Sequence, residues 1–412
     1  MALIIIDRTI MFFLGLMIFF LPISKAVIEI SASICIFAWI IKKIIIFKRD
    51  NSQNFIDRMK DFFRETSRLN IFLILFIFAN LLSVIFSSNF GLSINAFIAK
   101  LMEYILIFLI VRDTVNSRLR YRIIISVLLS SLMFVSFDGF FQKIAGYDLF
   151  RHRELFMGRV TASFINPNDL GSYLVTLIPL ALGLSLIKKN LKLRLCAVIV
   201  SIAALAILVF TLSKGAGCAF LAALVFFGFY TKKRYVLAIF VSLFIIALIL
   251  TLFFNFSYSV LVGRIFSFAS DAGVADRKLL WAAAVRMFLH SPIFGVGLGT
   301  FMKNYPNFWI QATPAISYTH NCYLQTLAET GIVGLSAFML FLFSWLKRTC
   351  KVLSRRGNTF YQLSFMGLTT GIVAYLLNSF VDTNFYSLPI AVLFWYLLGL
   401  QQAAMNLIKN ND

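Results

Sequence analysis

Of 412 residues, 60% are hydrophobic and only 13% charged, a balance a soluble domain of this size could carry only by exposing large apolar patches. The net charge of +21 would point to nucleic acid in a soluble protein. Here it is tested first against the excess of Lys and Arg in cytoplasmic loops of membrane proteins, and no nucleic-acid partner is expected.

Read with a window of about 19 residues, the chain is expected to span the bilayer at residues 9–24, 26–47, 70–87, 94–111, 123–141, 169–187, 195–212, 215–230, 235–255, 327–346, 360–380 and 386–407. The expectation is an all-α polytopic protein, residues 1–412 forming a single membrane domain of about twelve spans with both termini in the cytoplasm. The first span is read as a retained helix, because the candidate cleavage region Ile23-Ser24-Lys25-Ala26 has a charge where small residues are wanted. Residues 42–69 form a basic cytoplasmic stretch in which Phe55, Ile56, Met59, Phe62, Phe63 and Leu69 recur at near-helical spacing, as in a helix lying on the inner leaflet. With this topology the cytoplasmic segments hold about 26 of the 38 Lys and Arg residues, which sets the orientation. The remainder, including Lys25, Lys100, Lys143, Arg159, Lys214 and Arg277, lie where that rule does not put them.

Two loops away from the cytoplasm are long, residues 142–168 and 256–326, and loops of that size on a compact scaffold usually carry function. In the first, Arg159 precedes Asn166-Pro167-Asn168-Asp169; Asn166 or Asn168 can cap the next helix, and Pro167 suits a position needing no N–H donor. In the turn Thr211-Leu-Ser213-Lys214-Gly215 a cation stands at a helix start that itself favours anions; a snorkelling lysine explains it equally well. The second loop has a helical run from Asp276 to Leu289, carrying Arg277 and Trp281. Its glycine run, Pro292 to Phe301, is expected to be a close-packed turn and not a phosphate loop, since no strand precedes it.

His320 is the sharpest single residue. At the start of an apolar helix the positive end of the macrodipole disfavours a further positive charge, and a neutral imidazole there can act as a general base. His152 and His290 are read as structural. Within the spans, Lys100 and Glu103 at i, i+3 are expected to pair on one helix face. Cys35, Cys196, Cys218, Cys322 and Cys350 show no paired spacing, so neither a disulfide framework nor a zinc site is indicated. A base and several cations without an acidic metal cage suit an anionic lipid phosphate or pyrophosphate, and with it group transfer from a polyprenyl diphosphate.

Five segments in order resemble the O-antigen ligase and polymerase superfamily of envelope glycosyltransferases. They are Arg159 to Asn168, Thr211 to Gly215, Arg277 to Trp281, Pro292 to Phe301, and His320-Asn321 followed by Glu329-Thr330-Gly331. The resemblance implies a GT-C-like, metal-independent transferase without cofactor in the bacterial inner membrane, its large periplasmic loop between the ninth and tenth spans. An undecaprenyl-diphosphate glycan would be the donor and lipid A-core or another glycan the acceptor. Arg159 and Arg277 would hold the pyrophosphate with Lys214 assisting, Arg264 would be a weaker member of that cluster, and His320 would activate the acceptor hydroxyl. The family usually has Arg where this chain has Lys214, which keeps the charge but loses the bidentate fork. A polymerase, a protein O-oligosaccharyltransferase and a polysaccharide transporter are the alternatives. The first two differ from the ligase in acceptor, and the last is disfavoured by the absence of an internal repeat and by few intramembrane ionisable residues.

Overall fold

The computed structural model describes residues 1–49, 68–231, 272–309, 317–354 and 359–409. Along the described residues run α1 (Ala2–Phe20), α2 (Lys25–Arg49), α3 (Arg68–Ile85), α4 (Phe90–Ala96), a π-helical segment (Phe97–Met102), α5 (Glu103–Thr114), α6 (Arg118–Ala145), α7 (Pro167–Ser185), α8 (Leu191–Phe210) and α9 (Lys214–Thr231). They continue as α10 (Ala272–His290), α11 (Phe301–Phe308), α12 (Cys322–Leu353), α13 (Phe360–Asn378), a 3₁₀ turn (Asn384–Tyr386) and α14 (Leu388–Lys409). The expected span at 235–255, most of the basic stretch and Arg264 lie outside the described residues.

Among the described residues, eight helices are long and apolar enough to cross a membrane, and two shorter apolar ones, Leu69–Ile85 and Lys214–Phe229, accompany them. Large apolar side chains such as Phe12, Phe37, Phe78, Phe137 and Phe343 stand exposed around the outside. Water would not tolerate that surface, whereas hydrocarbon is its natural solvent. The protein is thus a multi-pass, all-α membrane protein.

Burial separates centre from rim. The window in α14 is 94% buried, while those in α1 and α2 are each 22% buried. Lipid tails are as apolar as leucine, so intramembrane helices associate through close packing and hydrogen bonds. The seam between α7 and α13 shows this: a Cβ on Gly183 would lie 2.5 Å from the Leu363 carbonyl, one on Gly367 2.5 Å from the Pro179 carbonyl, and one on Gly371 would strike the Thr176 carbonyl. Deeper in the bundle Trp395 packs against Phe108, Phe341 and Phe394, at ring-centroid distances of 6.3, 5.7 and 5.6 Å.

One expectation inside the spans is corrected. Lys100 and Glu103 form no ion pair, because the π-helical turn breaks the 3.6-residue register on which i, i+3 pairing depends. Glu103 keeps one buried carboxylate oxygen without a hydrogen-bond partner.

Candidate functional site

The loop after α6 is fixed from beneath by that helix. Gln142 Oε1 accepts from the Thr161 and Ala162 amides, both at 2.8 Å, and Asp138 accepts from Ser163 Oγ at 2.5 Å and from the Leu149 amide at 2.8 Å. Arg159, held by that loop, donates from Nε to the Thr211 carbonyl at 2.7 Å and from Nη2 to Asn168 Oδ1 at 2.8 Å. Both acceptors are neutral. Asn166 proves to be the cap of α7, accepting from the Asn168 and Asp169 amides, with Pro167 in the first turn. Asn168, the other capping candidate, instead holds Arg159.

Arg159 therefore sits directly on the turn that leads to Lys214. Leu212 in that turn has φ 51°, and the half-buried Lys214 is the first residue of α9. The following glycine is required by proximity: a Cβ on Gly215 would lie 2.5 Å from Val381 Cγ2 and 3.3 Å from Asn378 Oδ1. Asn378 donates to Ser172 Oγ at 2.7 Å, Ser172 donates to Asn384 Oδ1 at 2.7 Å, and Ser387 donates to Asp169 Oδ2 at 2.9 Å. The start of α7, the start of α9 and the turn between α13 and α14 thus form one polar platform.

His320 stands against the same turn. It precedes Asn321, which caps α12 by accepting from the Tyr323 and Leu324 amides. Its φ of 52° is left-handed, a conformation costing about 1–3 kcal/mol in a residue with a Cβ. Thr319 on one side braces it, donating from Oγ1 to the Asn321 carbonyl at 2.7 Å. On the other side Cys322 donates from N to the Ser379 carbonyl at 2.9 Å and from Sγ to the Asp382 carbonyl at 3.1 Å. The ring's Nδ1 is buried without a hydrogen-bond partner, 3.7 Å from Asp382 Oδ1. That is too long for a hydrogen bond but close enough for the carboxylate to orient the ring and stabilise positive charge on it. Nε2 is left as the accessible ring nitrogen, on a side chain 30% exposed.

Arg277 comes to this end of the molecule along α10. Trp281, one turn further on the same face, donates from Nε1 to the Thr319 carbonyl at 2.8 Å, next to His320. Arg277 is half-buried and makes no ion pair among the described residues. Arg159, Lys214 and His320 are therefore linked through shared neighbours, and Arg277 lies one turn before Trp281, which bonds the residue next to His320.

The glycine run is a close-packed turn. Gly295, Gly297 and Gly299 all have positive φ, and a Cβ on Gly299 would lie 2.5 Å from that of Ala96. Its amides are already occupied: those of Gly299 and Phe301 donate to the Glu329 carboxylate at 2.9 and 3.2 Å. Tyr386 Oη and Gln325 Nε2 complete that carboxylate's shell, at 3.1 and 3.2 Å, and Ser83 Oγ bonds the Glu329 carbonyl at 2.8 Å. Where a phosphate loop would offer its amides to a nucleotide, this run offers them to a carboxylate of its own chain.

Sequence reasoning assigned no role to Glu329 or Asp382. For Asp382 the available signal was the polar break Asn378-Ser379-Phe380-Val381-Asp382-Thr383-Asn384 between two apolar runs. His152 and His290 lie against Tyr147 and Phe308, with ring centroids 5.2 and 5.4 Å apart. Among the described residues no group of three or more His, Cys, Asp or Glu side chains is arranged to hold a metal ion.

A polytopic helical bundle thus brings a left-handed histidine, an adjoining carboxylate and a cation at a helix start to one end of the molecule. Residues 171–339 match the family described as O-antigen ligase, a stretch running from α7 into α12 that contains Lys214, Arg264, Arg277 and His320 and begins after Arg159. That match supports a likeness to the O-antigen ligase and polymerase superfamily, whose members are membrane glycosyltransferase-type enzymes. No curated protein sequence matches it.

Proposed function

We propose that this protein is an O-antigen ligase-like glycosyltransferase of the bacterial inner membrane, moving glycan from undecaprenyl diphosphate to a hydroxyl of lipid A-core at the periplasmic face. The observation that carries this reading is His320, strained, braced on both sides, with Nδ1 toward Asp382 and Nε2 accessible beside a platform bearing Arg159 and Lys214.

In the reaction the acceptor oxygen attacks the anomeric carbon while the bond from that carbon to the diphosphate oxygen breaks. His320 Nε2 takes the hydroxyl proton, and Asp382 stabilises the imidazolium that results. The leaving polyprenyl diphosphate carries the displaced electron pair, and Arg159, Lys214 and Arg277 offset its charge. Arg159 is pre-oriented by the Thr211 carbonyl and Asn168 Oδ1, so it meets the substrate without a rotamer search. The proposed topology is twelve spans with both termini in the cytoplasm, the reaction needs no metal, and Arg264 joins the phosphate cluster.

A polymerase would use the same donor chemistry and a second lipid-linked glycan as acceptor. The test is transfer by purified protein reconstituted in lipid, offered lipid A-core, a lipid-linked repeat or a protein hydroxyl in turn, with and without EDTA. Transfer to lipid A-core that persists in EDTA is the expected result. Transfer to the lipid-linked repeat alone would make the chain a polymerase, and loss of activity in EDTA would remove metal independence.

A further inference from the structure

Next to the His320 loop a cleft of about 120 Å³ opens between α3, the π-helical segment with α5, α12 and α14. Tyr318, Thr326 and Thr330 line it near the loop, while Phe76, Phe338 and Trp395 form an apolar wall. Lys100 is the cation in its lining. This lysine lies within the apolar run Phe90–Thr114 and is exposed, with neither an ion pair nor a hydrogen bond among the described residues. A lysine inside an apolar membrane run is rare, and such residues mark substrate sites. The π-helical turn that carries it, Phe97–Met102, is a rare irregularity enriched at functional sites, and Gly299 packs against its start.

We propose that this cleft seats the acceptor as an anionic glycolipid, with a phosphate at Lys100, its lipid chain along Phe76, Phe338 and Trp395, and its sugar reaching past Tyr318 to His320. This rests on the transferase reading above. Tyr318 is two residues from His320, a span of at most about 7 Å along the chain, so a sugar on a lipid held here comes within reach of Nε2. Tyr318 lies with its ring centroid 5.3 Å from that of Tyr386. Burial and the nearby Glu329 push its phenol above the ordinary range, so it stays a hydroxyl donor for a sugar oxygen. The apolar wall is more extensive than a free oligosaccharide would use, and one cation suits one phosphate. Two sources share this chemistry: a phosphorylated acyl glycolipid and a second polyprenyl-diphosphate glycan.

Binding is measured on His320→Ala protein in nanodiscs, where neither lipid turns over, using labelled phosphorylated acyl glycolipid, its dephosphorylated form and polyprenyl-diphosphate glycan. Lys100→Gln is expected to weaken the acceptor about tenfold and to spare the donor, while Lys100→Arg keeps both. If the acyl glycolipid is the acceptor, Lys100→Gln loses it alone. If the polyprenyl glycan is, two bound equivalents fall to one. Either result supports the cleft. Unchanged binding in Lys100→Gln, equal binding of the dephosphorylated lipid, or loss of all polyprenyl glycan would overturn it. Because binding is read without turnover, a wild-type protein that binds both lipids but transfers nothing refutes the reaction and not the cleft.

Discussion

The two ends of the bundle treat their cations in opposite ways. At the Asp7 end, Lys42 Nζ lies 3.0 Å from Asp7 and 3.5 Å from Asp113, Lys43 lies 3.1 Å from Asp113, and Arg120 lies 2.9 Å from Asp7. Trp39 Nε1 adds a 2.9 Å hydrogen bond to Asp113. These groups tie α1, α2, α5 and α6 together, and their charges are neutralised in the tying. At the other end of α6, Arg159 is oriented by a carbonyl and an amide oxygen, and Lys214 stands at a helix start that adds positive potential. The carboxylates there are engaged elsewhere: Asp169 with Ser387, Glu329 with backbone amides. At the first end carboxylates clamp helices through the cations; at the second, a carbonyl and an amide oxygen set the direction in which Arg159 points.

The sharpest test of this contrast is a variant at the His320 end that abolishes chemistry and leaves the fold. His320→Ala is expected to lower transfer by about 10²–10⁴, the range for a lost general base, with donor binding and the thermal unfolding midpoint retained. Alanine keeps a Cβ at φ 52°, so the backbone strain is unchanged, and a marked fall in stability would mean that the imidazole is structural. The opposite pattern is expected at the other end. Asp7→Ala leaves Lys42 with Asp113 alone and Arg120 with neutral acceptors alone, and should cost about 2 kcal/mol of stability, seen as a lower unfolding midpoint in detergent with transfer per folded molecule unchanged. A kinetic defect without a stability defect would dissolve the distinction between the two ends.

Asp382→Asn is a finer instrument, because it acts through His320. With Nδ1 at 3.7 Å and no hydrogen bond between the two, the aspartate's part is charge and orientation. The expected loss is about tenfold in kcat, roughly 1.4 kcal/mol at the transition state, with the acceptor KM unchanged and activity partly restored by Asp382→Glu. A change in KM alone would assign Asp382 to binding.

The apolar helices were legible because the bilayer demands long apolar segments, and each described helix from α1 to α9 and from α12 to α14 overlaps one of the apolar runs read from the sequence. Asn166 as a cap and the helix around Arg277 were legible for local reasons, since capping and helical periodicity depend on neighbours in sequence. What escaped depends on tertiary contact. Nothing near Glu329 in sequence announces that glycine amides some 30 positions earlier will close on it, and Asp382 acquires meaning only beside a residue 62 positions away. The π-helical turn was hidden for a different reason: Phe97–Met102 reads as ordinary apolar helix, and only its packing against Gly299 and the cleft marks it out.

Lys214→Arg carries the smallest expected effect and bears most directly on how the outer cations work. The resembling family usually has arginine in this turn. A guanidinium would grip two phosphate oxygens at once, whereas an ammonium acts as a point charge on a flexible stem. If Lys214 serves by charge alone, on a helix start whose own dipole already favours an anion, the substitution adds a second hydrogen bond to a site that mostly needs positive potential. Donor KM should then fall by about two- to threefold with kcat nearly unchanged, since the added bond is made equally to bound donor and transition state. Space limits the gain: the next residue, Gly215, is wedged against Val381 and Asn378, so the turn cannot recede to fit a wider head group. A rise in kcat of tenfold or more would show that a bidentate grip on the leaving diphosphate is what this chain lacks. A fall would show that the turn has closed around lysine, and that Arg159 and Arg277 carry the leaving group between them.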